Sequence, residues 1–582
     1  MKTRRAVFSR LPVACAIPLL SLSLCLLLAA SLSGQMIAQM IAQMAATAKS
    51  PSKQPAPMAT PAQMREKLGT VSFPVSCGAA VQPYFNRGVA LLHDFWYEEA
   101  RRQFERIAKD DPTCAMAHWG EAMSAFHEIW GRPDSAAMRF GWMQIQAAQA
   151  LPVKTARERA YIAAMAAFYK PGPEQYPARA QAYSAAMGRL YASDPKDVDA
   201  GAFYALSLLA EESPGDTSEA QERKAMAVLR PLFAKDPDNP GVDHYTIHAC
   251  DNPAMAREGL AAANHYGEIA PSGPHAAHMP GHIYARLGMW PQDIAAQRAS
   301  IKASERAEAK GESGIMDEPH SYDFLIYAEL QSGQDAQAKR DLAAGSAVLD
   351  RLAAMPGEGK AYMAGMVPFY RVELTGFYAL EMHDWKMAAA MTPVAGSPAD
   401  DEMLVAWMRI IADGHLKNEA KAAADLAGYR SSLAKVRKSN DSYVADSTAT
   451  KIMSEEAAAW ADDAEGHQAP ALASMRAAAD LQDKVGQGEV DIPAREMLAD
   501  MLLQMGQPKE ALQEYQAALR LSPNRLNGLD GAARAAAACG EKAQAAHFYR
   551  AMLKSSDGGA ESARPEFAKA KQYLAGTGQP AE

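Results

Sequence analysis

Residues 81–112 read VQPYFNRGVALLHDFWYEEARRQFERIAKDDP, and this stretch decides the fold. Two runs of helix formers flank the turn His93-Asp94-Phe95-Trp96, with apolar residues recurring at three- and four-residue spacing in each. Gly88 and Ala100 stand where the two helices of a hairpin must approach closely, and Phe104 is placed to fill the gap to the next hairpin. Asp111-Pro112 stops the second helix, because proline clashes with the preceding turn and has no amide hydrogen to donate. The same punctuation returns near the C-terminus. Gly506, Ala511, Tyr515, Ala518 and Pro523 reproduce the register, and Gly540, Ala545 and Tyr549 repeat it 34 residues later. Leu287-Gly288-Met289-Trp290, Ser332-Gly333-Gln334 and Met382-His383-Asp384-Trp385 mark further hairpin turns. Alternating β-branched runs, the mark of strands, are rare.

A helical hairpin of this length and punctuation is the tetratricopeptide (TPR) repeat. The expected fold is all-α: a TPR-like helical-hairpin solenoid, wound as a right-handed superhelix in which each repeat contacts its neighbours. The opening residues carry Lys2, Arg4, Arg5 and Arg10 before an uncharged apolar run from Leu11 to about Gly34, the pattern of an export signal. Residues 1–48 are therefore read as a signal peptide or N-terminal anchor. Residues 49–71, with Pro51, Pro55, Pro57 and Pro61, are read as a proline-rich linker. Residues 72–430 form the N-terminal and central array, 431–576 the C-terminal repeats, and 577–582 a disordered tail. The body is expected to be exported, periplasmic or extracellular, meeting the membrane only through an uncleaved N-terminal segment.

The net charge of −9 and the lack of a basic stripe exclude a nucleic-acid surface, which needs clustered Lys and Arg to neutralise phosphates. Cys77 and Cys114 bracket the first hairpin and are placed to bridge in an oxidising compartment. HExxH, GxSxG and phosphate-cradling loops are absent, so no catalytic residue is assigned and enzymatic activity is left open.

The histidines carry the chemistry. His244 and His248 lie in VDHYTIHACD, and His275, His278 and His282 in PHAAHMPGHI. His244 to His278 and His248 to His282 are both 34 residues, one repeat length, so equivalent helices should bring the four imidazoles together. His244, His248 and Asp251 fall at i, i+4 and i+7 on one helical face. Pro280 is expected in a first helical turn, which places His275 and His278 in the loop before it. His320 follows His275 by 45 residues, as Gly333 follows Gly288, and opens the following hairpin. Neutral imidazoles and a carboxylate at neighbouring turns suit a zinc, copper or iron ion. The candidate ligands are His244, His248, His278, His282, His320 and Asp251, with His275 in reach. The plainer reading is a buried polar network with Asp251 or Asn252 as a helix cap.

The block from Asn239 to His248, the block from His275 to Ile283 with Gly288-Met289-Trp290, and Cys114-Ala-Met-Ala-His118-Trp119-Gly120 resemble a family of bacterial exported TPR proteins. Its pattern is HPGxxHYxIHxxD followed by HAxHMPSHIxxRLGxW. The resemblance implies the fold and carries no activity. This chain departs from it with Asn239 in place of histidine and Gly281 in place of serine; if relatives use that histidine as a ligand, this chain lacks it. Two functions follow from sequence. One is a scaffold whose groove binds a peptide or protein partner in the cell envelope, with a histidine cluster that holds a metal ion. The alternative is a metal-dependent enzyme built on the solenoid.

Overall fold

The computed structural model describes residues 59–576 except 130–131, 212–215, 217, 356–359, 439–444, 487 and 489, and for 360–364 the backbone alone. The expected signal or anchor at 1–48 and the tail at 577–582 lie outside the described residues. Among the described residues there is no strand. Helices follow one another as hairpins: Gln82–His93 with Tyr97–Asp110, Ala115–Met123 with Ser135–Ala150, and onward to Leu526–Ala538 with Lys542–Ser555 and a closing helix, Pro565–Gly576. The protein is a TPR-like all-α array.

The consensus residues act where the sequence puts them. A Cβ at Gly88 would lie 2.7 Å from the Phe104 ring, and one at Gly120 only 2.4 Å from it. Phe104 is thus clamped between its own hairpin and the next, with Ala100 fully buried beside it. Tyr515 repeats the arrangement on Gly531, at 2.3 Å from a Cβ there. Gly120→Leu should overpack this contact and cost about 1–3 kcal/mol or more in urea unfolding. An unchanged midpoint would show that the ring is not clamped. Cys77 and Cys114 are bridged with Cα atoms 4.8 Å apart, closing the chain around the first hairpin. Such a link contributes about 2–4 kcal/mol.

Hairpin turns need one residue in the left-handed region. Gly288, Gly333, Gly506 and Gly540 supply it, with φ of 62°, 68°, 74° and 79°. In the first hairpin the same place is held by Phe95 at φ 55°. For an aromatic residue this backbone is strained by about 1–2 kcal/mol.

Three expectations are corrected. The linker assigned to 49–71 is docked over its C-terminal part: Leu68 and Val71 are buried, as is Phe73 just beyond it, the Gly69 amide donates to Ile269 O at 2.9 Å, and the Thr70 amide donates to Asp238 O at 2.7 Å. The prolines suggested loose chain, but the apolar residues that follow them seal the ends of the central helices. The division at 430/431 falls inside the helix Glu419–Lys438, and the described residues on both sides of it belong to one compact unit. Contacts also reach beyond adjacent repeats. Trp290 Nε1 donates to Asn524 O at 2.9 Å, Asn524 Nδ2 donates to Gly288 O at 3.1 Å, and the Leu526 amide donates to Gln331 Oε1 at 3.0 Å. The turns of the central hairpins are therefore covered by C-terminal ones.

Candidate metal centre

Four helices build the site. Pro240–Cys250 starts at Asn239, whose side chain accepts from the Gly241 amide at 3.1 Å, with Pro240 pre-set for the first helical position. His244 and His248 follow one turn apart. Asn239 also donates to Asp199 at 2.9 Å. Asn239 is thus a helix cap and belongs to neither cluster described below.

Pro280 opens the helix Pro280–Arg286 as expected, but the residues before it are a short helix, Pro274–His278, and not a loop. Met279 between the two keeps helical dihedrals (φ −53°, ψ −36°), and Gly273 supplies the extended residue that the earlier start needs before Pro274. His275, His278 and His282 therefore lie within helix at i, i+3 and i+7, along one face. The fourth helix, Glu318–Gln331, carries His320 in its first turn.

The imidazoles meet in two groups of three. His244 Nε2 lies 3.0 Å from His248 Nε2 and 3.1 Å from His275 Nε2. His278 Nε2 lies 2.8 Å from His282 Nε2, and His320 completes that triad. Within each triad the ligand-capable nitrogens fall within 4.8 Å of one another. Across the triads, the ring centroids of His275 and His278 are 6.0 Å apart and those of His248 and His282 are 6.4 Å apart. The span from His248 to His275 inside one triad is 6.3 Å, so the triads are contiguous. The helix bearing His275 is common to both. Thus the four histidines linked by the 34-residue spacing divide between two triads rather than converging on one point, and His275 and His320 complete them.

Asp251 belongs to neither triad. Its carboxylate accepts from His282 Nδ1 at 2.8 Å and from Arg286 Nε at 2.8 Å. His244 Nδ1 donates to His93 O at 2.5 Å, since a carbonyl can only accept. His278 Nδ1 faces Gln297 Oε1 at 2.6 Å, and Gln297 Nε2 donates to Asp293 Oδ1 at 2.8 Å, which fixes the orientation of the amide. A Cβ at Gly281 would lie 2.0 Å from Gln297 Nε2 and 2.6 Å from Asp293 Oδ1. The glycine at 281 gives this relay its room.

His244 Nδ1 gives its proton to the His93 carbonyl, which leaves Nε2 as the acceptor and ligating atom of that neutral ring. His278 Nε2 and His282 Nε2 face each other at 2.8 Å, with their Nδ1 atoms against Gln297 and Asp251. Burial pushes His244 down to about 3, and burial followed by the neighbouring histidines pushes His275 well below its ordinary value. Both rings are held in the neutral, ligating form.

One phenylalanine covers each triad. Phe95 stacks on His275 (5.4 Å, 13°) and His248 (5.6 Å, 25°), while Phe324 lies 4.9 Å from His278 and 4.8 Å from His282. Phe95 is buried among the core aromatics and is also a wall of the site. Its signal was an aromatic residue in a turn position where other hairpins carry glycine. His93 bonds Tyr245 OH and Asp199, both at 3.0 Å, and His265 bonds Asp243 at 2.7 Å, so these two histidines are structural.

No protein-family model and no curated protein matches the chain. Among solved structures it is similar to the TPR domain of P58(IPK), at 16% identity over 66% of this chain and 100% of that one, with a TM-score of 0.20. It is also similar to the APC/C hetero-tetramer Cut9-Hcn1, at 12% identity over 85% of this chain and 90% of that one, with a TM-score of 0.32. The fold rests on the helix pairing itself.

Proposed function

We propose that the chain binds two transition-metal ions side by side, one in His244, His248 and His275 and the other in His278, His282 and His320. The observation that carries this reading is the convergence of six imidazoles in two contiguous triads, each with its ligand-capable nitrogens within 4.8 Å of one another. Three protein ligands per ion leave one position open, the donor count of a reactive site rather than a closed structural one. Asp251, Gln297 and the His93 carbonyl are positioning groups that fix ring orientation.

The array that carries the centre is proposed to be exported and to meet a peptide or protein partner in the cell envelope, as hairpin solenoids commonly do. The N-terminal charge pattern supports export. Because C-terminal hairpins cover the central turns, the partner surface is sought elsewhere on the array.

Chelator-stripped protein reloaded with a divalent ion and desalted should retain about two ions per chain, one for each three-donor set. His282→Ala should retain about one. Asn239→Ala, at the cap, should leave the stoichiometry unchanged. Wild-type protein that retains no ion would remove the metal reading and leave the polar network.

A further inference from the structure

We infer that the two ions are copper and that the reduced pair takes up dioxygen between them; this rests on the two-ion reading above. The donor set is the first reason. Among the described residues, each triad is a set of three imidazoles. Paired iron or manganese ions are held by bridging and terminal carboxylates, which offset the charge of two divalent ions. Here six neutral rings offset none of it. Asp251, the acid bonded to a ligand ring, is already shared with Arg286. Coulomb repulsion scales with the product of the charges, so two Cu(I) ions repel one another a quarter as strongly as two divalent ions at equal distance. Imidazole also favours copper over the other first-row divalent metals at the same site.

Geometry is the second reason. Where two Nε2 atoms lie 2.8–3.1 Å apart, an ion at about 2.0 Å from both would have an N–metal–N angle of about 90–100°. With the third ring of each triad within 4.8 Å of the other two, such a set would hold an ion as on a tripod and leave one face for a further ligand. The contacts of 6.0 and 6.4 Å between rings of opposite triads bring the two ions into one small space.

The surroundings are the third reason. His244, His275, His278 and His282 are buried, whereas His248 and His320 are half-buried, so one flank of each triad meets solvent. The walls at Phe95 and Phe324 are apolar. A small, uncharged diatomic molecule suits them. On binding, each Cu(I) gives one electron and the O=O double bond becomes a single bond. Two Cu(I) and O2 become two Cu(II) and a bridging peroxide, with no proton consumed. Return of the two electrons releases O2 and restores the Cu(I) pair.

The full chain, stripped of metal and loaded anaerobically with two equivalents of Cu(I), is exposed to oxygenated buffer in an oxygen-electrode cell. Uptake of about one O2 per two copper ions is expected, with no paramagnetic resonance signal because the two Cu(II) spins pair through the bridge. Purging with argon should reverse it. His320→Ala, checked for retained helicity by circular dichroism, should keep one copper and take up no O2. Two bound copper ions that oxidise to separate, resonance-visible Cu(II) without stoichiometric uptake would overturn the dioxygen inference and leave the two-ion reading standing. Displacement of Cu(I) by zinc at equal free concentration would overturn the assignment to copper. Failure to retain either metal would overturn both readings.

Discussion

Arg525→Ala is expected to destabilise the chain by about 3–5 kcal/mol, because it leaves two buried carboxylates without their cation. Arg525 is 1% exposed, and its guanidinium donates to Glu496 through Nε at 3.0 Å and through a terminal nitrogen at 2.8 Å. It also donates to Glu381 at 2.8 Å, to Asp491 O at 3.1 Å and to Tyr327 OH. Glu381 and Glu496 are 1% and 2% exposed, so water cannot replace the lost partner. Arg525→Lys should fall between wild type and alanine, since an ammonium cannot reproduce the planar fork. The exposed Arg520→Ala on the preceding helix should stay within about 0.5 kcal/mol of wild type. The consequence reaches the candidate centre. Tyr327 lies on the helix that carries His320, so loosening this junction should weaken the second triad more than the first. Urea unfolding checks the stability, and metal titration of the same variants checks the coupling. An Arg525→Ala protein as stable as Arg520→Ala would mean that the buried ion pairs hold nothing together.

The hairpin architecture was legible because its contacts are local. Gly88, Ala100 and Phe104 meet within one repeat or the next, and a 34-residue period carries that information along the chain. The histidine pairs at i and i+4 were legible for the same reason. Their division between two triads was not, because it depends on whether the residues before Pro280 are loop or helix. Pro280 was readable as a helix start; the short helix before it depends on the extended conformation at Gly273, which lets Pro274 take a first position as well. The relay through Gln297 and Asp293 was hidden as well, since it needs the next helix to pack over Gly281. Arg525 was out of reach: its partner Glu381 is 144 residues away, and no repeat spacing connects them. The docked segment at residues 68–73 was missed because proline content was weighed above the apolar side chains that follow.

Filling both triads is expected to stabilise the folded chain by about 4 kcal/mol per ion when free metal is a thousandfold above the dissociation constant. The gain follows from mass action, because the unfolded chain holds six separated imidazoles and no assembled triad. The metal-free protein should show the complementary weakness in acid. His244 has a folded-state value of about 3, against about 6.5 in an unfolded chain. Between those values the unfolded chain takes a proton that the folded one refuses, so stability is complete above pH 6.5 and falls as the pH drops towards 3. The slope is about 1.4 kcal/mol per pH unit for one such histidine. His275, depressed in the same direction by burial and by its neighbours, adds to it. Metal binding should steepen the curve, because protons compete with the ion for the same Nε2 lone pairs. Thermal melts of metal-free, metal-loaded and His244→Gln protein between pH 7 and 4 separate the contributions: the variant should flatten the metal-free curve by about one histidine's share. A metal-free protein equally stable across that range would mean that the rings are solvated and free to charge, and imidazoles in that state do not form the two preorganised tripods on which the centre depends.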